Sequence, residues 1–300
     1  MMSEPSDKEI FEAVIAADEE GLLAGENPKQ RSLQTIFRAM KRLGFESFVF
    51  AGTATHPTVE RIHNIIKQLY RPEDIAVGGI HMGTFMFRDV FARISVALAY
   101  GTVRVEPLRH TNMNELQLRW LRSRPEDYNA FHDQFADIWD FGWGLLELGS
   151  TRSVGDECKN FMGLAHFQLQ AAAAIVTGAY DFRGAVQSSL IATELALKGG
   201  LAASKLDLKA LKNLGHDLGA LTAELEKHEP KLDGKRITET IGKFPSYVPN
   251  RYSPNQPDRR ATGHIVMGAQ YVAAEVMRQL TDRNFRSAAK DYPARSYPPL

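Results

Sequence analysis

Tyr180 to Ala203 reads YDFRGAVQSSLIATELALKGGLAA, and after a short linker Gly215 to Leu221 reads GHDLGAL. Val186, Leu190, Leu197 and Leu201 recur at helical spacing on one stripe, with Ile191 and Leu195 beside them. Glu194 and Lys198 stand four residues apart inside that apolar pattern, and His216 and Asp217 open the next helix. Charged groups embedded in apolar sequence are costly to bury unless they are paired. The stretch therefore predicts an all-helical unit whose few internal ions neutralise one another.

The surrounding sequence extends that reading. Helical spacing continues over 156–176, 182–203, 216–227, 237–244 and 259–280, with Pro245, Pro249, Pro254 and Pro257 punctuating a loop that holds Arg251 and Tyr252. Residues 284–300 read as an unstructured tail. Upstream, 7–25 and 28–43 are amphipathic helices, Phe48 to Ala51 reads as a short buried strand, 59–70 as a helix and Asp74 to Val77 as a second strand. A strand–helix–strand unit is the core of an α/β domain. Residues 85–105 suit strand or helix, with 94–98 and 102–105 extended, and 116–121 and 128–148 are helical. The predicted class is α+β, mainly α: an α/β domain over 1–150, a helical bundle over 151–283 and a flexible tail over 284–300.

Composition narrows the class. Of 300 residues, 44% are hydrophobic and 24% charged, ordinary values for a soluble globular chain. No apolar run approaches the roughly 20 residues that span a bilayer. The acidic start fits neither a secretory signal nor a transit peptide, so a cytoplasmic location is expected, with no membrane partner. The single cysteine, Cys158, excludes an intramolecular disulfide and a multi-cysteine metal site, and reads as packing. Residues 1–150 carry 16 Lys/Arg against 21 Asp/Glu, and residues 151–300 carry 20 against 15. That asymmetry favours attraction between two domains of opposite sign over nucleic-acid binding by a basic half.

Most motifs that could carry chemistry are incomplete. Gly78 to Gly83 lacks the GK[ST] of a Walker loop and the dinucleotide fingerprint, and reads as a tight turn. His56 and His63 read as surface histidines, and His81 and His110 have no partner in sequence. Asp133, Asp137 and Asp140 share one helical side and read as a solvated acidic face. No metal and no cofactor is expected.

The second half resembles the HEPN domain, on Gly178-Ala179-Tyr180, Ala185, Glu194 to Lys198, Gly215-His216-Asp217-Leu218 and Arg251-Tyr252, across about residues 157–283. The resemblance implies a bundle of four or five helices, a homodimer and a nucleotide or RNA ligand. One branch of that family is metal-independent ribonucleases that set an Arg and a His across a dimer interface; Arg259 and His264 stand at that spacing here. The other branch binds and assembles beside a nucleotidyltransferase-like domain. Here Phe50-Ala51-Gly52-Thr53 faintly resembles the first element of such an enzyme, but no DxD follows and Asp74 stands alone. Residues 1–150 are therefore not expected to be an active enzyme of that type. Glu194, Lys198, His216 and Arg251 are expected to converge, with Asp217 and Tyr252 beside them. The expected function is a non-enzymatic, nucleotide- or RNA-linked binding and assembly module. The alternatives are an endoribonuclease of the toxin–antitoxin or antiviral-defence kind using Arg259 and His264, and a scaffold that recognises a protein partner through residues 1–150.

Overall fold

The computed structural model describes residues 4–50, 54–76, 78–99, 101, 103–246, 255, 257–289, 292 and 294–300. The described residues are mostly helical, and the described sheet has two antiparallel strands, so the class is mainly α. No helix among the described residues is long and apolar enough to cross a membrane. Contacts divide the chain into two compact units between Gly79 and Ile80.

The first unit holds α1 (Asp7–Leu23), α2 (Pro28–Arg42), α3 (Pro57–Leu69) and the single turn α4 (Pro72–Ile75). Capping boxes open two of these helices, Ser6 with Glu9 and Asn27 with Gln30. Ile10, Val14, Ile36, Met40, Val59, Ile62 and Ile66 form the core where three amphipathic faces meet. Both strands expected here are replaced. Phe48 and Phe50 pair with no neighbouring strand; their rings lie 5.6 and 5.4 Å from Phe37, so they pack sideways on α2. Ala51 and Val77 lie outside the described residues. At 72–75 the backbone turns helical, because Pro72 opens it and Arg71 bonds both Asp74 oxygens at 2.8 Å. The unit is thus a helical cluster and not an α/β domain.

The second unit begins with a hairpin, β1 (Gly79–Phe87) and β2 (Val90–Ala97), turning at Arg88 with φ 59°. The helices α5 (Glu115–Arg122), α6 (Pro125–Glu147), α7 (Asp156–Gly178), α8 (Arg183–Ala203), α9 (Leu208–Leu214), α10 (Leu218–His228), α11 (Gly234–Ile241), α12 (Arg259–Leu280) and α13 (Phe285–Ala288) follow. The tight turn expected at 78–83 is instead the start of a strand. Gly83 is needed within that strand, since a Cβ there would lie 2.6 Å from Ile138 and 2.8 Å from Gln270 Oε1. Residues 103–105, expected extended, join no strand.

Phe85, Phe87, Ile94 and Val96 of the hairpin pack on Phe131, Phe135, Ile138 and Trp139 of α6. Met162, Leu169, Leu197, Leu201, Leu225, Val272 and Val276 form the bundle core. The Gly199-Gly200 pair sits where α8 touches its neighbours: a Cβ would come within 2.6 Å of Met162 or 2.9 Å of Val276. Phe141 of α6 joins the bundle core while Phe135 joins the hairpin core. Because α6 is apolar on most sides it serves both, and the boundary expected near residue 150 falls inside one unit.

Candidate functional site

The expected ionic set forms on α8. Glu194 Oε1 accepts from Lys198 Nζ at 2.7 Å, and Glu194 Oε2 lies 2.8 Å from His216 Nδ1. The Glu194 and Lys198 side chains are each 13% exposed and that of His216 67%, so a half-buried pair presents its histidine to solvent. Asp217 stands outside the set; its carboxylate accepts from the Ala220 N–H at 3.0 Å and caps α10. Arg251 and Tyr252 lie outside the described residues. Glu194 and His216 line a cavity of about 460 Å³ together with Leu190, Thr238, Ile241, Phe244 and Ser246. With Glu194 neutralised by Lys198, the cavity offers an imidazole, two hydroxyls, the Asp217 carboxylate and an apolar wall with one aromatic ring.

Arg259 and His264 are not brought together. Five residues on a helix place side chains about 140° apart. Arg259 Nε donates to the Asp89 carbonyl at 2.5 Å, and its guanidinium lies over Phe91 and Phe182 at 4.7 and 5.0 Å. His264 Nδ1 is 3.0 Å from Tyr297 Oη, and the two rings stack at 5.9 Å. Burial first, then Arg260 and Lys243, hold the His264 imidazole below its ordinary value.

The acidic face is a correction. Asp133, Asp137 and Asp140 are buried and saturated by cations. Arg278 bridges Asp137 at 2.5 Å, Asp140 at 2.8 Å and Glu275 at 3.0 Å. Arg295 bonds both Asp137 oxygens, at 2.6 and 2.9 Å. Asp133 takes Arg286 and accepts from the Ser296 N–H at 2.8 Å, Ser296 Oγ at 2.9 Å and the Tyr297 N–H at 2.8 Å. Burial works against the Arg278 charge, but Asp137, Asp140 and Glu275 outweigh it and hold the guanidinium above its ordinary range. The segment 284–300, expected to be unstructured, is thus bound to α6. Its arginines reach carboxylates that would otherwise be buried and unpaired. No trio of His, Cys, Asp or Glu among the described residues could hold a metal ion.

The remaining candidates are local. His56 caps α3 by accepting from the Thr58 N–H at 3.2 Å, and His63 is exposed. His110 Nδ1 lies 3.1 Å from the Ser95 carbonyl. His81 is buried against Phe141 and His166, at 5.1 and 5.0 Å between rings, and burial, then His166, holds it well below its ordinary value. Cys158 is fully buried and burial pushes its thiol up to about 11, an unreactive packing residue.

No family model matches the chain, and neither a curated protein nor a solved structure matches it.

Proposed function

We propose that the chain is a HEPN-like, non-enzymatic binding and assembly module that takes a nucleotide or RNA phosphate in the cavity beside His216. One observation carries the reading: Glu194, paired with Lys198, and His216 line a cavity instead of being sealed in the core. Lys198 offsets the Glu194 charge, Asp217 is turned to the Ala220 N–H, His216 and the Thr238 and Ser246 hydroxyls supply hydrogen bonds, and Phe244 supplies a face for a base. Titration of the full chain with AMP by calorimetry tests this. Lys198→Met should keep the helical circular dichroism and weaken binding about tenfold, because Glu194 then faces the ligand uncompensated. Unchanged binding, or loss of fold with no ligand effect, contradicts the reading.

Assembly draws support from the outer face of α7. Leu164 and Phe167 are 51% and 64% exposed, and Ala171, Ala174 and Gly178 continue their stripe at three- and four-residue steps. No Asp, Glu, Lys or Arg occurs between Asn160 and Tyr180. In an antiparallel two-fold pairing about Ala171, Leu164 falls opposite Gly178 and Phe167 falls beside Ala174, bulk against small. The geometry gives no support to the ribonuclease alternative, because Arg259 is engaged by the hairpin. RNA incubated with the protein should stay intact, and His264→Ala should change nothing; cleavage that His264→Ala abolishes would reverse this.

A further inference from the structure

We infer that a second cavity of the helical unit binds a small aromatic monoanion. It lies on the other side of Phe244 from the His216 cavity, and the inference does not depend on the nucleotide reading. Its volume, about 600 Å³, falls in the range of small-molecule sites. Ala130 of α6, Phe244, Ile265 of α12, Tyr297 and Pro298 give it apolar walls, two of them aromatic rings suited to a flat partner.

The wall supplied by the chain terminus is fastened at several points. The Tyr297 N–H donates to Asp133 at 2.8 Å, and the Pro298 carbonyl accepts from Arg236 Nη1 at 2.6 Å. Arg236 is itself held by Asp233 at 3.0 Å. This wall of the cleft is therefore in place before any ligand arrives, which lowers the ordering that binding would demand.

Charge selects the ligand class. Lys243 lies on the rim and makes no ion pair among the described residues. Both Lys243 and Arg260 bear on His264, so the cationic side of the rim is the one next to the His264–Tyr297 pair. That pair adds polarity without charge. Asp127, also on the rim, is bound to Arg124, whereas Glu126 contributes one further carboxylate. With Asp127 paired, Lys243 and the neighbouring Arg260 outweigh Glu126 by one charge, which suits a single negative charge and disfavours a polyphosphate.

Calorimetry on the full chain with 2-naphthoate as probe tests the inference. We expect saturable one-to-one binding, with the neutral 2-naphthalenemethanol about tenfold weaker, the loss of one charge-assisted contact. Lys243→Ala should bring the two probes to equal affinity. Ala261→Trp, at an exposed lining position in the first turn of α12, should abolish binding of both while thermal unfolding stays cooperative. Lys198→Met should leave naphthoate binding unchanged, which keeps this site distinct from the His216 cavity. Absence of saturable binding, naphthoate binding that survives Ala261→Trp, or equal affinity of the two probes for the unaltered protein overturns it.

Discussion

Arg278 shows what a buried charge requires of its surroundings. Its three nitrogens meet three different carboxylates, two of them on α6 and one a turn away on its own helix. Removing it leaves Asp137 and Asp140 buried with fewer partners, so Arg278→Ala should destabilise the fold by about 3–5 kcal/mol, read as a shift in the urea midpoint. His132 offers a second residue-scale test. Burial first, then the Arg286 cation, pushes its imidazole down to about 4 from an ordinary 6.5. Between those values the unfolded chain holds a proton that the folded chain rejects, so this contribution to stability is complete above about pH 6.5 and is lost as pH falls towards 4. His132→Gln should flatten part of that slope in urea midpoints taken across the window. At this scale the sequence was legible where charges sat four apart inside an apolar helix, as Glu194 and Lys198 do. It misled at Asp133, Asp137 and Asp140, although their spacing of four and then three is that of a core stripe. The partners that make their burial tolerable, Arg278, Arg286 and Arg295, lie far away in sequence, and no local pattern announces them.

Among the elements, the chain terminus departs most from expectation. Residues 284–300 are polar and rich in proline, and sequence of that kind normally stays free. Here it is held through side chains: Arg286 and Arg295 on aspartates, Ser296 and Tyr297 backbone amides on Asp133, and Phe285 against Phe135 and Trp139. Deleting 285–300 should therefore lower stability by roughly 3 kcal/mol or more and reduce unfolding cooperativity, where a free tail would leave both unchanged. The outer stripe of α7 gives the second element-scale prediction. Phe167→Glu should convert a dimer into a monomer in sedimentation velocity with unaltered circular dichroism. Long helices were readable from their period alone, as 156–176, 182–203 and 259–280 show. Short apolar runs were not: Phe48 to Phe50 satisfies a strand pattern, but its rings find Phe37 before any strand finds its backbone.

At the scale of the whole molecule, the division of the chain follows the apolar surface of α6. Trp139, Phe135 and Phe131 face the hairpin while Phe141 faces the bundle, so residues 80–150 cannot part from the second half without exposing both cores. A polar, glycine-containing stretch at 149–155 resembles a linker in sequence, yet it connects two helices of one unit. The hydrogen bonds of Gln270 reinforce this: it donates to the Thr84 carbonyl and accepts from the Thr84 N–H, at 2.8 and 2.7 Å, joining α12 to the hairpin across 186 residues. Such long-range pairing has no signature in local composition.

Phosphate binding beside His216 is tested most directly by one titration: anisotropy of a fluorescein-labelled single-stranded RNA, with AMP as competitor, against the unaltered protein, His216→Ala and Lys198→Met. Binding should be saturable, weakened by salt and displaced by AMP, with each variant about tenfold weaker. An unaltered protein that leaves the RNA free, or variants that bind it equally well, would contradict it.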